Sequence, residues 1–141
     1  MLLKVESYMV DYGLFEEWIE KADEDFGYAS LSLDEEFEYF PQICFHFQQA
    51  AEKYLKAYII QKNLEFNKIH NLIVLLKVCA KEDSSFEVLK ASCEFLNRFY
   101  VDTRYPVHWP VLRSKEVAQE ARDYAKQMQD FVKSKLCLNI L

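Results

Sequence analysis

The sequence predicts an all-α protein, an up-and-down bundle of about five helices. Glycine occurs only twice and proline three times in 141 residues, too few turn-forming residues for the reversals of an all-β fold. Hydrophobic residues make up 51% of the chain and recur three or four positions apart, which is the spacing of one helix face. By its length the chain, residues 1–141, is one domain with its own core. We expect that core to span about residues 14–132, followed by an apolar tail, 133–141.

The first two predicted helices have clear apolar faces. From about Leu14 to Leu31, apolar side chains fall on one face and acidic side chains on the other. Pro41 marks the start of the second helix, because proline fits the first turn of a helix but not its interior. This helix runs to about Lys62, and Ala50 and Ala57 would let a neighbouring helix approach closely. We expect it at the centre of the bundle, with an apolar stripe made of Cys44, Phe47, Ala51, Tyr54 or Leu55, Tyr58 and Ile59.

Three further helices follow from stripes and capping residues. The third begins near His70 or Asn71, and its stripe is Leu72, Leu75, Leu76 and Cys79. Ser84 with Glu87 has the form of a capping box and opens the fourth, which should end before Val101. Its stripe is Phe86, Leu89, Cys93, Leu96 and Tyr100. Ser114 can cap the last helix, whose stripe is Val117, Ala121, Tyr124, Met128 and Phe131.

Charge and motifs exclude several classes of function. The net charge of -6 argues against electrostatic binding of nucleic acid over a broad basic surface, so no binding to duplex DNA is expected. The four cysteines form no CxxC pair, which favours buried free thiols over a zinc site or disulfides. No stretch approaches the roughly 18 apolar residues of a membrane span, and the first residues do not resemble a signal peptide, so we expect a cytoplasmic protein. No motif predicts a cofactor or a metal.

The second helix carries polar residues beside its stripe: His46, Gln49, Glu52, Lys53 and Lys56. They are either the solvated back of a core helix, with Glu52 and Lys56 as an i, i+4 ion pair, or the lining of a site. His70 is similarly open to two interpretations. It can satisfy backbone groups as a helix cap, or belong to a site.

The segment 98–113 concentrates the groups that bind phosphates and bases. Arginine clamps phosphate, aromatic rings stack on bases, and histidine can move a proton, so this mixture suits a nucleotide or single-stranded RNA. Alternatively, an aspartate pairs with an arginine and the rings cover the end of the bundle. The residues concerned are Arg98, Asp102, Arg104, Tyr105, His108, Trp109 and Arg113.

Four pieces of the sequence, in this order, resemble the HEPN domain family. They are Trp18 with Ala22 and Asp25, the stretch CFHFQQAAEKYLKAYI, the start IHNL of the third helix, and DTRYP after the fourth. The resemblance covers about Leu14 to Val132. It implies a dimer, often encoded beside a minimal nucleotidyltransferase, with nucleotide binding.

Many members of this family are metal-independent ribonucleases or toxins. In them an arginine and a histidine with four to six residues between them act from both subunits at a dimer cleft. The arginine stabilises the phosphate, and the histidine assists attack by the ribose 2'-hydroxyl. In this chain only three residues separate Arg104 from His108, and Pro106 interrupts the helix that would carry the pair.

Three hypotheses follow. The first is a dimeric module that works with a minimal nucleotidyltransferase, as in a toxin-antitoxin pair, and binds a nucleotide or RNA phosphate. Arg104 would contact the phosphate, and Lys53 and Arg98 would add positive charge; the other candidates for this site are Tyr100, Asp102, Tyr105, Trp109, His46, Gln49 and His70. The second is a metal-independent endoribonuclease using Arg104 and His108. The third is a purely structural dimerisation module.

Overall fold

All the elements in the computed structural model, which describes residues 13–65, 69–102 and 114–136, are helical. The α-helices are α1 (Phe15–Asp34), α2 (Phe40–Gln61), α3 (Leu72–Glu82), α4 (Lys90–Asn97), α5 (Phe99–Asp102) and α6 (Lys115–Lys135), with a 3-10 segment, Ser84–Leu89, between α3 and α4. No β-strand occurs within these ranges. The predicted all-α bundle is confirmed.

The helix α2 is the centre of the bundle, since it contacts each of the other five α-helices. Its predicted stripe is buried along its whole length. Ala50 and Ala57 are also fully buried, so the neighbouring helices approach its backbone closely. The placement of this helix at the centre is therefore confirmed.

The helix α1 ends three residues later than predicted, at Asp34 rather than Leu31. The amide of Glu36 donates to the carbonyl of Leu33 at 3.1 Å, and the amide of Phe37 donates to the carbonyl of Ser32 at 3.0 Å. This is the pattern of a Schellman motif, which ends a helix with one residue in the left-handed conformation. Glu36 takes that conformation, with φ of 64°. Glycine usually occupies this position, so a glutamate here is no local signal that the helix stops.

The predicted capping box of the fourth helix is wrong. Asp83, not Ser84, is the N-cap, and its carboxylate accepts hydrogen bonds from the amide of Ser85 at 3.0 Å and from its hydroxyl at 2.7 Å. These bonds and one from Lys135 lower the pKa of Asp83 to about 2. The chain then forms the 3-10 segment before α4, and the extra turn α5 continues to Asp102, past the predicted end.

The caps of α3 and α6 are side chains at the positions that the sequence predicted. The Asn71 side chain accepts hydrogen bonds from the amides of Ile73 and Val74, and the hydroxyl of Ser114 accepts one from the amide of Val117. The α6 helix continues to Lys135, and Leu136 after it is fully buried, with its carbonyl accepting a hydrogen bond from the Gln61 side chain.

Three cysteines are buried free thiols, as predicted: Cys44, Cys79 and Cys93. Burial raises the pKa of the Cys93 thiol to about 12, so this group stays protonated and unreactive near neutral pH. Cys137 lies outside the described residues.

Candidate functional site

Polar side chains of α2 form two hydrogen-bonded networks, one with α1 and one with His70, two residues before α3. The first, the Asp25 network, consists of Asp25, His46 and Lys53. His46 Nδ1 lies 3.1 Å from Asp25 Oδ1, and Lys53 Nζ lies 2.5 Å from Asp25 Oδ2. His46 and Lys53 are two helical turns apart, so both reach the same carboxylate from one face of α2. The network ties α1 to α2.

The Asp25 carboxylate is held in its charged form. Burial raises the pKa of Asp25, but the hydrogen bonds from His46 and Lys53 outweigh burial, and the pKa is lowered overall. The ionised carboxylate accepts a hydrogen bond from Nδ1 of His46, so Nε2 is the nitrogen left for other contacts.

The second network, the Glu52 network, surrounds a buried carboxylate. Glu52 and Lys56 are only 4% and 5% exposed, and Lys56 Nζ lies 2.7 Å from Glu52 Oε2. The same oxygen lies 2.9 Å from His70 Nδ1. Glu52 Oε1 accepts hydrogen bonds from the side-chain amides of Gln48 at 3.3 Å and Gln49 at 3.4 Å. This carboxylate is therefore supplied with donors on both oxygens, as a buried charge requires.

Five rings form a row along this side of the bundle, the aromatic row: Tyr28, His46, Phe45, Tyr100 and His70. Neighbouring ring centres lie 4.9, 5.8, 6.4 and 4.9 Å apart in that order. The last pair is stacked, with 14° between the ring planes. Because His46 and His70 each bind a carboxylate through Nδ1, the two networks fix the orientation of two rings in the row.

These contacts bear on two alternatives that the sequence left open. His70 is not the cap of α3, since Asn71 takes that role and the ring of His70 binds Glu52 instead. The Glu52–Lys56 pair has the predicted i, i+4 spacing, but it is buried rather than part of a solvated face. The sequence alone could not decide whether the pair is solvated, because the residues that cover it lie far along the chain.

The structure brings five of the candidate residues into the networks or the aromatic row, and a sixth, Arg98, contacts other rings. His46, Gln49, Lys53, His70 and Tyr100 lie in the networks or the aromatic row. Arg98 is exposed, and its guanidinium lies 4.7 Å from the ring centre of Phe95 and 6.0 Å from that of Phe99. Asp102 is the last residue of α5, the helix that also carries Tyr100, but the side chain of Asp102 lies outside the described part of the chain. The whole residues Arg104, Tyr105, His108 and Trp109 also lie outside it.

A third cluster, the Asp23 network, was not foreseen. Asp23 accepts hydrogen bonds from the Tyr54 hydroxyl, from Gln129 Nε2 at 3.0 Å and from Lys133 Nζ at 3.0 Å. Burial raises the pKa of Asp23, but these bonds outweigh burial and lower it overall. Burial and the bond to Asp23 raise the pKa of Tyr54. No periodic signal in the sequence links these positions, which join α1, α2 and α6.

The charges of the α2 lysines are balanced within the two networks. Lys53 is matched by Asp25 and Lys56 by Glu52. An added phosphate would therefore need to compete with a carboxylate for either lysine. The arrangement offers flat rings and oriented imidazoles rather than excess positive charge.

The described residues hold no group of three or more histidine, cysteine or acidic side chains close enough to bind a metal ion. Likewise, none of the helices in these ranges is both long and apolar enough to cross a bilayer.

Comparison with known proteins identifies the fold and the family. No curated protein matches the sequence. Among solved structures, the chain is similar to ST0689, an archaeal HEPN homologue, with a TM-score of 0.70 and 22% identity over 88% of this chain and 98% of the other. It is also similar to TT1696 from Thermus thermophilus, with a TM-score of 0.71 and 26% identity over 86% of this chain and 98% of the other. The family model of the HEPN domain matches residues 15–135, and the chain belongs to the HEPN domain family.

Proposed function

We propose that this chain binds a nucleotide or an RNA phosphate, as a dimer that works with a minimal nucleotidyltransferase in a toxin-antitoxin pair. One observation carries the proposal. The buried Glu52 fixes the ring of His70, which stacks on Tyr100 of α5, and α5 leads directly into the segment that contains Arg104, Tyr105, His108 and Trp109. The dimer and the partner rest on membership of the family.

The chemistry of this region suits a base and its phosphate. Aromatic rings accept stacked bases with little dependence on sequence, and the aromatic row supplies them along one side of the bundle. Lys53 and Lys56 are each paired with a carboxylate, so the positive charge that binds the phosphate would come from arginine. The planar guanidinium of arginine binds two phosphate oxygens at once. Of the two candidate arginines near the stacked pair along the chain, Arg98 already lies over the rings of Phe95 and Phe99, so we assign the phosphate to Arg104, four residues after Tyr100.

A binding titration tests this proposal. A fluorescent single-stranded oligoribonucleotide and a nucleoside triphosphate would be titrated with wild-type protein and with Arg104→Ala, Tyr100→Leu and Arg122→Ala. We expect about a tenfold loss of affinity for the first two variants, which corresponds to one good contact each. Arg122→Ala is the matched control, since Arg122 pairs with Asp34 on another part of the surface.

Absence of binding by the wild-type protein, or equal binding by all the variants, would refute the proposal. Sedimentation of the same samples would report whether Arg104→Ala affects the dimer instead of the affinity. RNA cleavage with EDTA present, lost in His108→Ala, would show that the chain is a ribonuclease and not a binding module alone.

A further inference from the structure

The end of α1 and the connection to α2 expose a group of large apolar side chains. Tyr28, Leu31, Phe37 and Tyr39 are 57%, 60%, 52% and 73% exposed. Tyr28 and Leu31 are three residues apart on α1 and so share one face. Phe37 is joined to the same turn by its amide, which donates to the carbonyl of Ser32. We call these four residues, with the acidic side chains described next, the α1–α2 face.

Three exposed carboxylates lie within the same connection: Glu35, Glu36 and Glu38. None of them forms an ion pair with another side chain in the described ranges, whereas the preceding Asp34 pairs with Arg122 at 2.9 Å. Exposed aromatic groups surrounded by a polar rim are typical of surfaces that bind proteins. The rim of this face carries negative charge.

The backbone of this face is fixed in a conformation that its sequence does not favour. Glu36 has φ of 64°, although a residue with a Cβ atom is less stable there than glycine by about 1 kcal/mol. The equivalent position after α2 is filled by Asn63, with φ of 57°, and asparagine tolerates this conformation better. A glutamate at the position of a glycine keeps a charge on the face at some cost in stability.

We propose that the α1–α2 face is a docking surface for a protein partner that presents a basic surface with apolar side chains among its cations. Charge complementarity determines this choice of partner. In a two-fold interface the same patch meets itself, so a second copy would bring the carboxylates of both chains together. This inference goes beyond nucleotide binding. Tyr28 also belongs to the aromatic row, but the other members of the α1–α2 face lie outside the row, outside the two networks and outside the segment after α5.

Fluorescence anisotropy with a designed peptide tests the proposal. The probe is a labelled amphipathic helix of about five turns, with leucine on one side and lysine on the other, and its counterpart carries glutamate in place of lysine. We expect the wild-type protein to bind the lysine peptide at low salt and not the glutamate peptide. Leu31→Ser/Phe37→Ser and Glu35→Lys/Glu38→Lys should each weaken binding about tenfold.

Matched controls locate the binding. Glu87→Lys/Glu94→Lys makes the same change of charge at exposed positions of the 3-10 segment and α4, and Val88→Ser removes an exposed apolar side chain there. These variants should bind the lysine peptide nearly as well as the wild type does. The proposal is overturned if the wild type does not bind the peptide, if controls and test variants lose affinity equally, or if sedimentation shows self-association that only the test variants abolish.

Discussion

The buried pair of Glu52 and Lys56 leads to the sharpest prediction about stability. Replacing Glu52 by alanine removes the carboxylate that accepts hydrogen bonds from Lys56, His70, Gln48 and Gln49. The ammonium group of Lys56 would stay in a site with 5% exposure and without its counter-charge. Breaking a buried pair in this way costs about 3–5 kcal/mol. That is a large part of the roughly 5–15 kcal/mol by which a domain is stable.

The chain contains a matched control for this effect. Lys126 and Asp130 form an ion pair at 3.1 Å with the same i, i+4 spacing, but their side chains are 56% and 63% exposed. Such a pair contributes about 0.3–0.5 kcal/mol, so Asp130→Ala should change stability little. The two pairs differ mainly in burial, and the comparison isolates the cost of an unpaired buried charge.

Urea denaturation followed by far-ultraviolet circular dichroism measures both free energies of unfolding. Glu52→Leu/Lys56→Met, which removes both charges and keeps the volume filled, should recover most of the loss caused by Glu52→Ala. If Glu52→Ala and Asp130→Ala cost the same, the Glu52–Lys56 pair is solvated in solution and the argument from burial fails.

Three further predictions concern single side chains. Burial raises the pKa of Asp25, but the hydrogen bonds from His46 and Lys53 outweigh burial and lower it overall. Asp25→Asn should therefore reduce the free energy of unfolding by its full amount above the unfolded-state pKa of about 3.9. The difference between the variant and the wild type should disappear as pH falls through the lower folded-state pKa. Urea titrations at several pH values check this, and a difference that persists in strong acid would contradict it. Tyr54→Phe should cost about 1 kcal/mol in the same urea assay, because Asp23 keeps its bonds to Gln129 and Lys133. A cost above about 3 kcal/mol would mean that the hydroxyl organises the whole cluster. Glu36→Gly should raise the free energy of unfolding by about 0.5–1 kcal/mol because of its positive φ, and Glu36→Gln, which changes the charge alone, should not.

The helices could be predicted because their signals are local. A stripe three or four residues apart reports burial along one helix, and the α2 stripe from Cys44 to Ile59 is buried as expected. Side-chain caps are equally local, which explains the correct choice of Ser114. The capping box at Ser84 was wrong because Asp83, one residue earlier, offers a carboxylate to the same turn. Neighbouring residues that can each cap a helix cannot be ranked by pattern alone.

The site could be predicted only in part because its contacts join distant positions. His46 and Lys53 were named from α2, but the carboxylate between them, Asp25, is 21 and 28 residues away. The resemblance to the family drew attention to Asp25 without giving its partners. The role of His70 stayed open between a cap and a site because nothing local indicates that the residues just before α3 lie beside Glu52. The i, i+4 spacing of Glu52 and Lys56 likewise does not show whether the pair is buried or solvated, because burial depends on residues far along the chain.

The balance of charge within the networks restricts how any phosphate site can work here. If Lys53 turned from Asp25 to a phosphate, the partly buried carboxylate would keep only His46 as a donor, and its lowered pKa would rise. The same exchange at Lys56 would leave Glu52 buried with one cation fewer. Both exchanges therefore oppose binding, whereas an arginine outside the networks carries no such cost. The lysines and carboxylates of α2 orient His46 and His70, so a phosphate bound beside them would need its counter-charge from a cation outside the two networks.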